Sequence, residues 1–131
     1  MKIKMNLRVP VHTDITDIGS TFMKNTSTYP NLDFDISNYM PGLYIDPNSK
    51  LVQSLCNIYN EETNSNCTPI AIGGATFARA FPNCISFGAN FPGNKDMCHQ
   101  TDEFIKIDNL LLSCKIYAKA IVFLTNEKKG F

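Results

Sequence analysis

The chain has 131 residues, of which 44% are hydrophobic and 18% are charged. Twelve basic residues balance twelve acidic ones, so no net electrostatic field favours nucleic acid or an anionic membrane as a partner. The apolar fraction is too high for a disordered segment, and no stretch approaches the roughly 20 apolar residues of a membrane span. These numbers predict a soluble, folded chain with no nucleic-acid or membrane partner.

The amino end and the cysteines indicate a cellular compartment. The first residues lack the apolar stretch of about 7–15 residues that a secretory signal contains. Five cysteines, with no CxxC spacing among them, fit free thiols in a reducing compartment better than a disulfide framework. The sequence therefore predicts a cytoplasmic protein.

The first forty residues have the pattern of a strand, a helix and a second strand. Residues 2–9 and 31–37 alternate between apolar and polar side chains, which is typical of a strand with one dry face. Between them, Thr13 or Asp14 can cap a short helix that ends near Asn25 and carries apolar residues at 15, 18 and 22.

A connector at residues 38–47, which contains Pro and Gly, precedes a second region. Asp46 and Pro47 are residue types found at helix starts, and apolar residues follow at 51, 55, 58 and 59. Short strands are predicted at 69–72, 84–88 and 104–107, and Asp108 is predicted to cap the longest helix. The alternation of helices and strands predicts an α/β or α+β fold. The predicted apolar stripe of the longest helix comprises Leu110, Cys114, Tyr117, Ala118, Ile121 and Leu124.

His99 lies in a polar stretch, residues 96–103, with carboxylates on both sides. A histidine in such a loop is a candidate metal ligand or general base, and an ordinary surface histidine is the simpler interpretation. Cys98 is adjacent, but neighbouring residues of an extended chain point to opposite sides, which argues against a thiol–imidazole pair.

Two further groups are candidates for binding anions. Backbone N–H groups at Gly73, Gly74 and Thr76 could bind an anion with Arg79 nearby, or the glycines could simply form a tight turn. Arg8 has the planar guanidinium that recognises carboxylates, or it is a solvated residue. The chain has two histidines and no HExxH, GxSxG or Gly-Lys phosphate loop, so no complete catalytic centre is visible in these patterns.

Residues 72–111 read IGGATFARAFPNCISFGANFPGNKDMCHQTDEFIKIDNLL. This segment resembles the carboxyl-terminal catalytic segment of M20-type metallopeptidases, specifically the PepV-like dipeptidases (Xaa-His dipeptidase, or carnosinase, group). The shared features are a Gly-Gly-(Gly/Ala)-Thr-(Tyr/Phe)-x-Arg turn, a Pro-Gly loop, a His with an acidic element after it, and a Leu-rich helix. Residues 6–10 also resemble a strand of this family. Ala75 and Val9 depart from the pattern, which has Gly and Tyr in many relatives.

The resemblance implies a fold and an activity. Residues 1–40 would be half of a ferredoxin-like βαβ lid domain, and residues 46–131 the C-terminal part of a zinc-peptidase α/β catalytic domain. The intact enzyme would hold two zinc ions and cleave a dipeptide with metal-activated water. By the same resemblance, His99 is a metal ligand and Arg8 binds the substrate carboxylate. The turn at Gly73, Gly74 and Thr76 lines the substrate pocket, with Arg79 as its supporting arginine.

The remaining zinc ligands and the general-base glutamate of this family lie outside the present sequence. One histidine cannot hold two zinc ions, so the resemblance implies a carboxyl-terminal portion that is inactive alone. Its expected partners are a dipeptide in the intact enzyme, and either a complementary amino-terminal half or a second copy that pairs with the open strands at 2–9 and 31–37. The alternative is a non-catalytic oligomerisation or interaction module derived from the same fold.

Overall fold

The computed structural model describes residues 2–88 and 90–126. Over these residues the chain forms three α-helices and a short 3-10 helix, and none of the α-helices is long and apolar enough to cross a membrane. The helices are α1 (Ile15–Thr26), α2 (Lys50–Thr63) and α3 (Ile107–Asn126), and the 3-10 helix spans Phe77–Ala80.

The chain divides into two compact units, Met1–Tyr44 and Ile45–Phe131. The first unit contains α1, and the second contains α2, the 3-10 helix and α3. The assignment of residues 1–40 and 46–131 to two domains of an enzyme stays a prediction.

The predicted α/β fold, with its ferredoxin-like lid, is wrong. None of the strands expected at 2–9, 31–37, 69–72, 84–88 and 104–107 forms in the described part of the chain. Alternation marks one apolar side of a segment, but a strand exists only when its backbone pairs with a neighbouring segment. Without such pairing the apolar side chains of the first segment stay in solvent, with Ile3 68% and Met5 69% exposed.

α1 confirms the helix predicted in the first unit. It begins after Asp14, whose Oδ1 accepts the backbone N–H of Thr16 at 2.8 Å. Phe22 is half-buried, and its ring centroid lies 5.6 Å from that of Phe34. No residue of α1 is fully buried, so capping carries a large share of the stability of this helix.

Replacing Asp14 by Ala should therefore loosen α1. The Thr16 N–H bond holds the pKa of Asp14 below its ordinary value, so its contribution is present above about pH 4 and is lost as the pH falls through the lower, folded-state pKa. We expect amide exchange across residues 15–26 to become several-fold faster at pH 7. Asp14→Asn keeps a capping oxygen and should change exchange little; equal exchange in all three proteins would contradict the cap.

In the second unit, α2 packs against α3. Leu55 and Ile58 of α2 and Ile116 and Ala120 of α3 form the buried cluster, so the apolar pattern predicted for α2 is confirmed at its centre. Eight partly buried side chains surround this cluster: Leu51, Tyr59, Ile85, Phe87, Phe91, Leu112, Phe123 and Leu124.

Both predicted helix starts in this unit are wrong. The N-cap of α2 is Ser49, whose Oγ accepts the N–H of Val52 at 3.4 Å. Asp46 accepts the N–H of Asn48 at 2.8 Å instead, and this local turn consumes the side chain that was expected to cap the helix. α3 begins at Ile107, so Asp108 lies inside its first turn.

α3 meets α2 through a face other than the predicted stripe. Its buried residues are Ser113, Ile116 and Ala120, and Tyr117 and Leu124 are the half-buried members of the predicted stripe. The remaining four positions of that stripe are exposed: Leu110, Cys114, Ala118 and Ile121. The helix is apolar on both sides, so periodicity alone cannot select the side that contacts α2.

The segment around Phe87 has no regular secondary structure and packs against α2 and α3. The Phe87 carbonyl accepts the Tyr117 hydroxyl at 3.1 Å, and the two rings meet edge to face at 5.9 Å. The Phe91 ring stacks on Tyr59 with centroids 6.1 Å apart. Residues 84–88 therefore form side-chain contacts with α2 and α3 in place of the predicted strand. In a strand the Phe87 carbonyl would accept a backbone N–H from a neighbouring strand, whereas here it accepts the Tyr117 hydroxyl.

Candidate functional site

His99 lies in a tight polar turn and is exposed. Its backbone is left-handed, with φ 62°, and its N–H donates to Glu103 Oε2 at 3.2 Å. Asp102 is also left-handed, with φ 58°. Asp96 Oδ1 accepts the N–H of Cys98 at 3.0 Å. Two carboxylates thus accept the backbone N–H groups of His99 and of the residue before it.

Cys98 is not arranged as a nucleophile. Its interaction with the Asp96 carboxylate raises the pKa of the Cys98 thiol, while the N–H of Cys98 lowers the pKa of Asp96. Reactive cysteines require the opposite shift, toward the thiolate. The structure therefore gives no support to thiol catalysis beside His99.

The residues present do not form a zinc centre by themselves. Among residues 2–88 and 90–126, no three His, Cys, Asp or Glu side chains come together in a group that could hold a metal ion. A catalytic zinc takes about three protein ligands, so His99 could act only together with ligands from elsewhere. The metal-binding role of His99, and the two zinc ions implied by the resemblance, stay predictions.

The glycine turn lies before the 3-10 helix. Thr76 Oγ1 is 2.6 Å from Ser86 Oγ. The backbone N–H of Arg79 donates to the Thr76 carbonyl at 3.2 Å. Gly73 and Gly74 lie in an exposed bend and neither has a positive φ. A Cβ at Gly73 would meet nothing within 4 Å, and one at Gly74 would lie 3.6 Å from Ile72 Cδ1. Neither backbone strain nor packing within the chain explains these glycines.

The candidate residues are divided between the two units. Arg8 is exposed in the first unit, and Gly73, Gly74, Thr76, Arg79 and His99 belong to the second. Arg79 is half-buried. The substrate-binding roles predicted for these residues are untested by their geometry and stay predictions.

Two contacts of the candidate residues were not foreseen from the sequence. Glu103 follows His99 by four positions in the same polar stretch. This short spacing could have been used to predict the contact between them. Ser86 is ten positions from Thr76, and no local pattern links them.

Comparison with known proteins gives one consistent relationship. No protein-family model matches the sequence, and no solved structure matches it. The chain is 32% identical over 122 residues to "Putative dipeptidase YtjP" of Bacillus subtilis (strain 168). It is 32% identical over 124 residues to "Putative dipeptidase SAUSA300_1697" and "Putative dipeptidase SAV1751" of two Staphylococcus aureus strains, USA300 and Mu50.

These alignments cover nearly all of this chain but a small part of each relative. They include 92% of the chain and 25% of the Bacillus protein, and 95% of the chain and 26% of each Staphylococcus protein. The chain spans about a quarter of the length of the curated relatives it matches, and over that quarter its similarity supports a relationship with a dipeptidase family.

Proposed function

We propose that this chain is the carboxyl-terminal portion of a zinc-dependent dipeptidase of the M20, PepV-like type. The observation that carries the proposal is the 32% identity, over 92–95% of the chain, to proteins with dipeptidase names. The resemblance of residues 72–111 to PepV-like dipeptidases is the basis for proposing the M20 type and the carboxyl-terminal position. Its five free cysteines are consistent with a reducing compartment, so the proposed location is the cytoplasm.

His99 is the proposed metal ligand of this portion. Glu103 and Asp96 accept backbone N–H groups of the turn, which supports a defined backbone at the position that carries the imidazole. Arg8 is proposed to hold the substrate carboxylate through its planar guanidinium. Gly73, Gly74 and Thr76 are proposed to approach the substrate backbone with Arg79 behind them; the open space at Gly73 is compatible with such an approach.

The isolated chain should have no peptidase activity. The described residues lack a group of three metal-binding side chains, and an activated water needs both a metal and a base. Activity therefore requires the parts of the enzyme that correspond to the other three quarters of the relatives.

A chimaera tests the proposal. This chain replaces the matching quarter of the Bacillus subtilis relative, and dipeptide hydrolysis is measured with added Zn²⁺ or Mn²⁺. We expect no turnover by the isolated chain, turnover by the chimaera, and at least about a 100-fold loss on His99→Ala, since a metal site loses a direct ligand.

His12→Ala is the matched control. His12 is the second histidine and packs its ring against Tyr44 in the first unit, with centroids 5.2 Å apart. We expect this variant of the chimaera to keep its turnover. Turnover by the isolated chain, equal loss in both variants, or a relative that hydrolyses no dipeptide would each refute the proposal.

The second candidate function is a non-catalytic interaction module. Many large apolar side chains of the described residues are exposed, among them Ile70 at 84%, which favours contact with another polypeptide. This function predicts tight association with the remainder of a dipeptidase-type protein and no turnover in the complex. A catalytically active chimaera would exclude it.

A further inference from the structure

α3 has a second apolar face, opposite the one that contacts α2. At 100° per residue the residues of this face lie in one continuous sector of the helix. All of them are exposed. We call this sector the outer face of α3; it comprises Ile107, Leu110, Leu111, Cys114, Ala118, Ile121 and Val122. The polar residues Lys115 and Lys119 lie between the two faces on one side of the helix. α3 therefore has two separate apolar faces, and only one of them packs against α2.

The outer face continues into a groove between α2 and α3. The groove has a volume of about 690 Å³ and is lined by Ile58 of α2 and by Ala118, Val122 and Phe123 of α3. Glu61 and Lys119, whose charged groups lie 4.0 Å apart, border it. An apolar floor with a charged border is the composition of a polypeptide interface rather than of a charged-ligand site.

Other large apolar side chains of the second unit are exposed as well. Phe77 is 91% exposed and Phe81 is 62% exposed. Exposed apolar side chains in such numbers are typical of a surface that contacts another polypeptide.

We propose that the outer face of α3 is the surface against which the remaining three quarters of a dipeptidase of this kind pack. The proposal rests on the proposed function, since the relatives define the occupant. They are about four times as long as the segment they share with this chain. A partner of that length can cover the outer face, the groove and the other exposed apolar side chains of the second unit together.

A second copy of this chain fits the face less well. α3 is about 30 Å long, and a face roughly 10 Å wide offers on the order of 300 Å² to a facing helix. Stable protein–protein interfaces bury about 800 Å² on each partner. A dimer held together through this face alone would therefore bury less than half of the area that a stable interface buries on each partner.

Cys114 provides a probe, because it lies on the outer face and is exposed. We would measure maleimide labelling of Cys114 by mass spectrometry in the isolated chain, in the chain unfolded by urea, and in the folded chimaera with the Bacillus relative. We expect the isolated chain to label within a few-fold of the unfolded rate at every protein concentration. In the chimaera, labelling should be at least about 100-fold slower.

Two variants locate the contact on the helix. Leu111→Gln and Ile121→Gln replace exposed outer-face residues, so neither should shift the unfolding midpoint of the isolated chain. In the chimaera each should restore part of the Cys114 labelling. If the chimaera does not fold, the same labelling is read in the full-length Bacillus protein with a single cysteine at the position aligned with Cys114.

Three outcomes would overturn the proposal. Fast labelling of Cys114 in a folded chimaera would show that the outer face stays in solvent. Fast labelling of the single cysteine in the full-length relative would show the same for the natural protein. Slow labelling of the isolated chain that depends on concentration, with the mass of a dimer, would assign the face to a second copy. A chimaera that hydrolyses dipeptides while Cys114 labels fast would refute this proposal and leave the proposed function standing.

Discussion

Replacement of Ile116 by Ala is expected to destabilise the α2–α3 pair by about 2–5 kcal/mol, the usual loss when a buried isoleucine is truncated. Ile116 is 3% exposed and lies in the cluster with Leu55, Ile58 and Ala120. Small domains have unfolding free energies of about 5 kcal/mol or more, so a loss of this size removes much of the stability of the second unit. We would measure the urea midpoint by circular dichroism at 222 nm.

The matched control for this truncation is Ile121→Ala on the same helix. Ile121 is 61% exposed on the outer face, so its truncation should change the unfolding free energy by no more than about 0.5 kcal/mol. Ile116→Val should give an intermediate loss of about 0.5–1.5 kcal/mol. Equal destabilisation by the two alanine variants would contradict the assignment of the α3 face that meets α2.

Local signals in the sequence predicted local structure. Of the two caps predicted for α1, Thr13 and Asp14, the structure has Asp14, whose carboxylate accepts an N–H only two residues away. The apolar spacing of α2 predicted two of its three buried residues, Leu55 and Ile58, and missed Val52. Both predictions depend on neighbours within about one helical turn.

The strands failed because pairing is not a local property. Residues 2–9 and 31–37 alternate as strands do, yet no described segment pairs with them. The strand predicted at 84–88 is wrong for a related reason. The Tyr117 hydroxyl, thirty positions along the chain, donates a hydrogen bond to the Phe87 carbonyl. Neither outcome could be deduced from the period of the pattern.

In the candidate site too, contacts between near neighbours could be predicted from the sequence and contacts between distant segments could not. Asp96 and Glu103 fix the turn at His99 from within the polar stretch that the sequence singled out. The Thr76–Ser86 hydroxyl pair joins two segments that the spacing did not connect. A complete metal centre needs side chains from several segments, and the sequence of this chain contains too few of them to predict one.

Replacing Glu62 by Gln is expected to weaken the link between α2 and α3. The side chain of Glu62 is 5% exposed, and its Oε2 lies 2.6 Å from Lys115 Nζ while its Oε1 pairs with Lys119. Glutamine keeps the shape but removes the charge, and it leaves two lysines of α3 close together without their shared counter-ion. The two lysine side chains cover the Glu62 carboxylate but are themselves 65% and 47% exposed. We expect the loss to exceed that of a single exposed ion pair, because one carboxylate pairs with both lysines.

The pH dependence provides a sharper test of this link. Hydrogen bonds from Lys115 and then Lys119 hold the pKa of Glu62 below its ordinary value of about 4.3. The carboxylate therefore stabilises the fold fully above that pH, and the contribution is lost as the pH falls through the lower, folded-state pKa. Glu62 likewise raises the pKa of Lys119, so the lysine contribution is lost only as the pH rises through that raised value.

The urea midpoint of the natural chain should consequently fall between neutral pH and about pH 3, and Glu62→Gln should lower the neutral value and flatten this decline. Glu61→Gln is the matched control, because Glu61 is 71% exposed and lies 4.0 Å from Lys119. Its effect should be several-fold smaller, and 1 M NaCl should remove most of it, since salt screens exposed pairs more than buried ones. An acid decline that persists unchanged in Glu62→Gln would mean that other carboxylates govern the acid stability of the second unit.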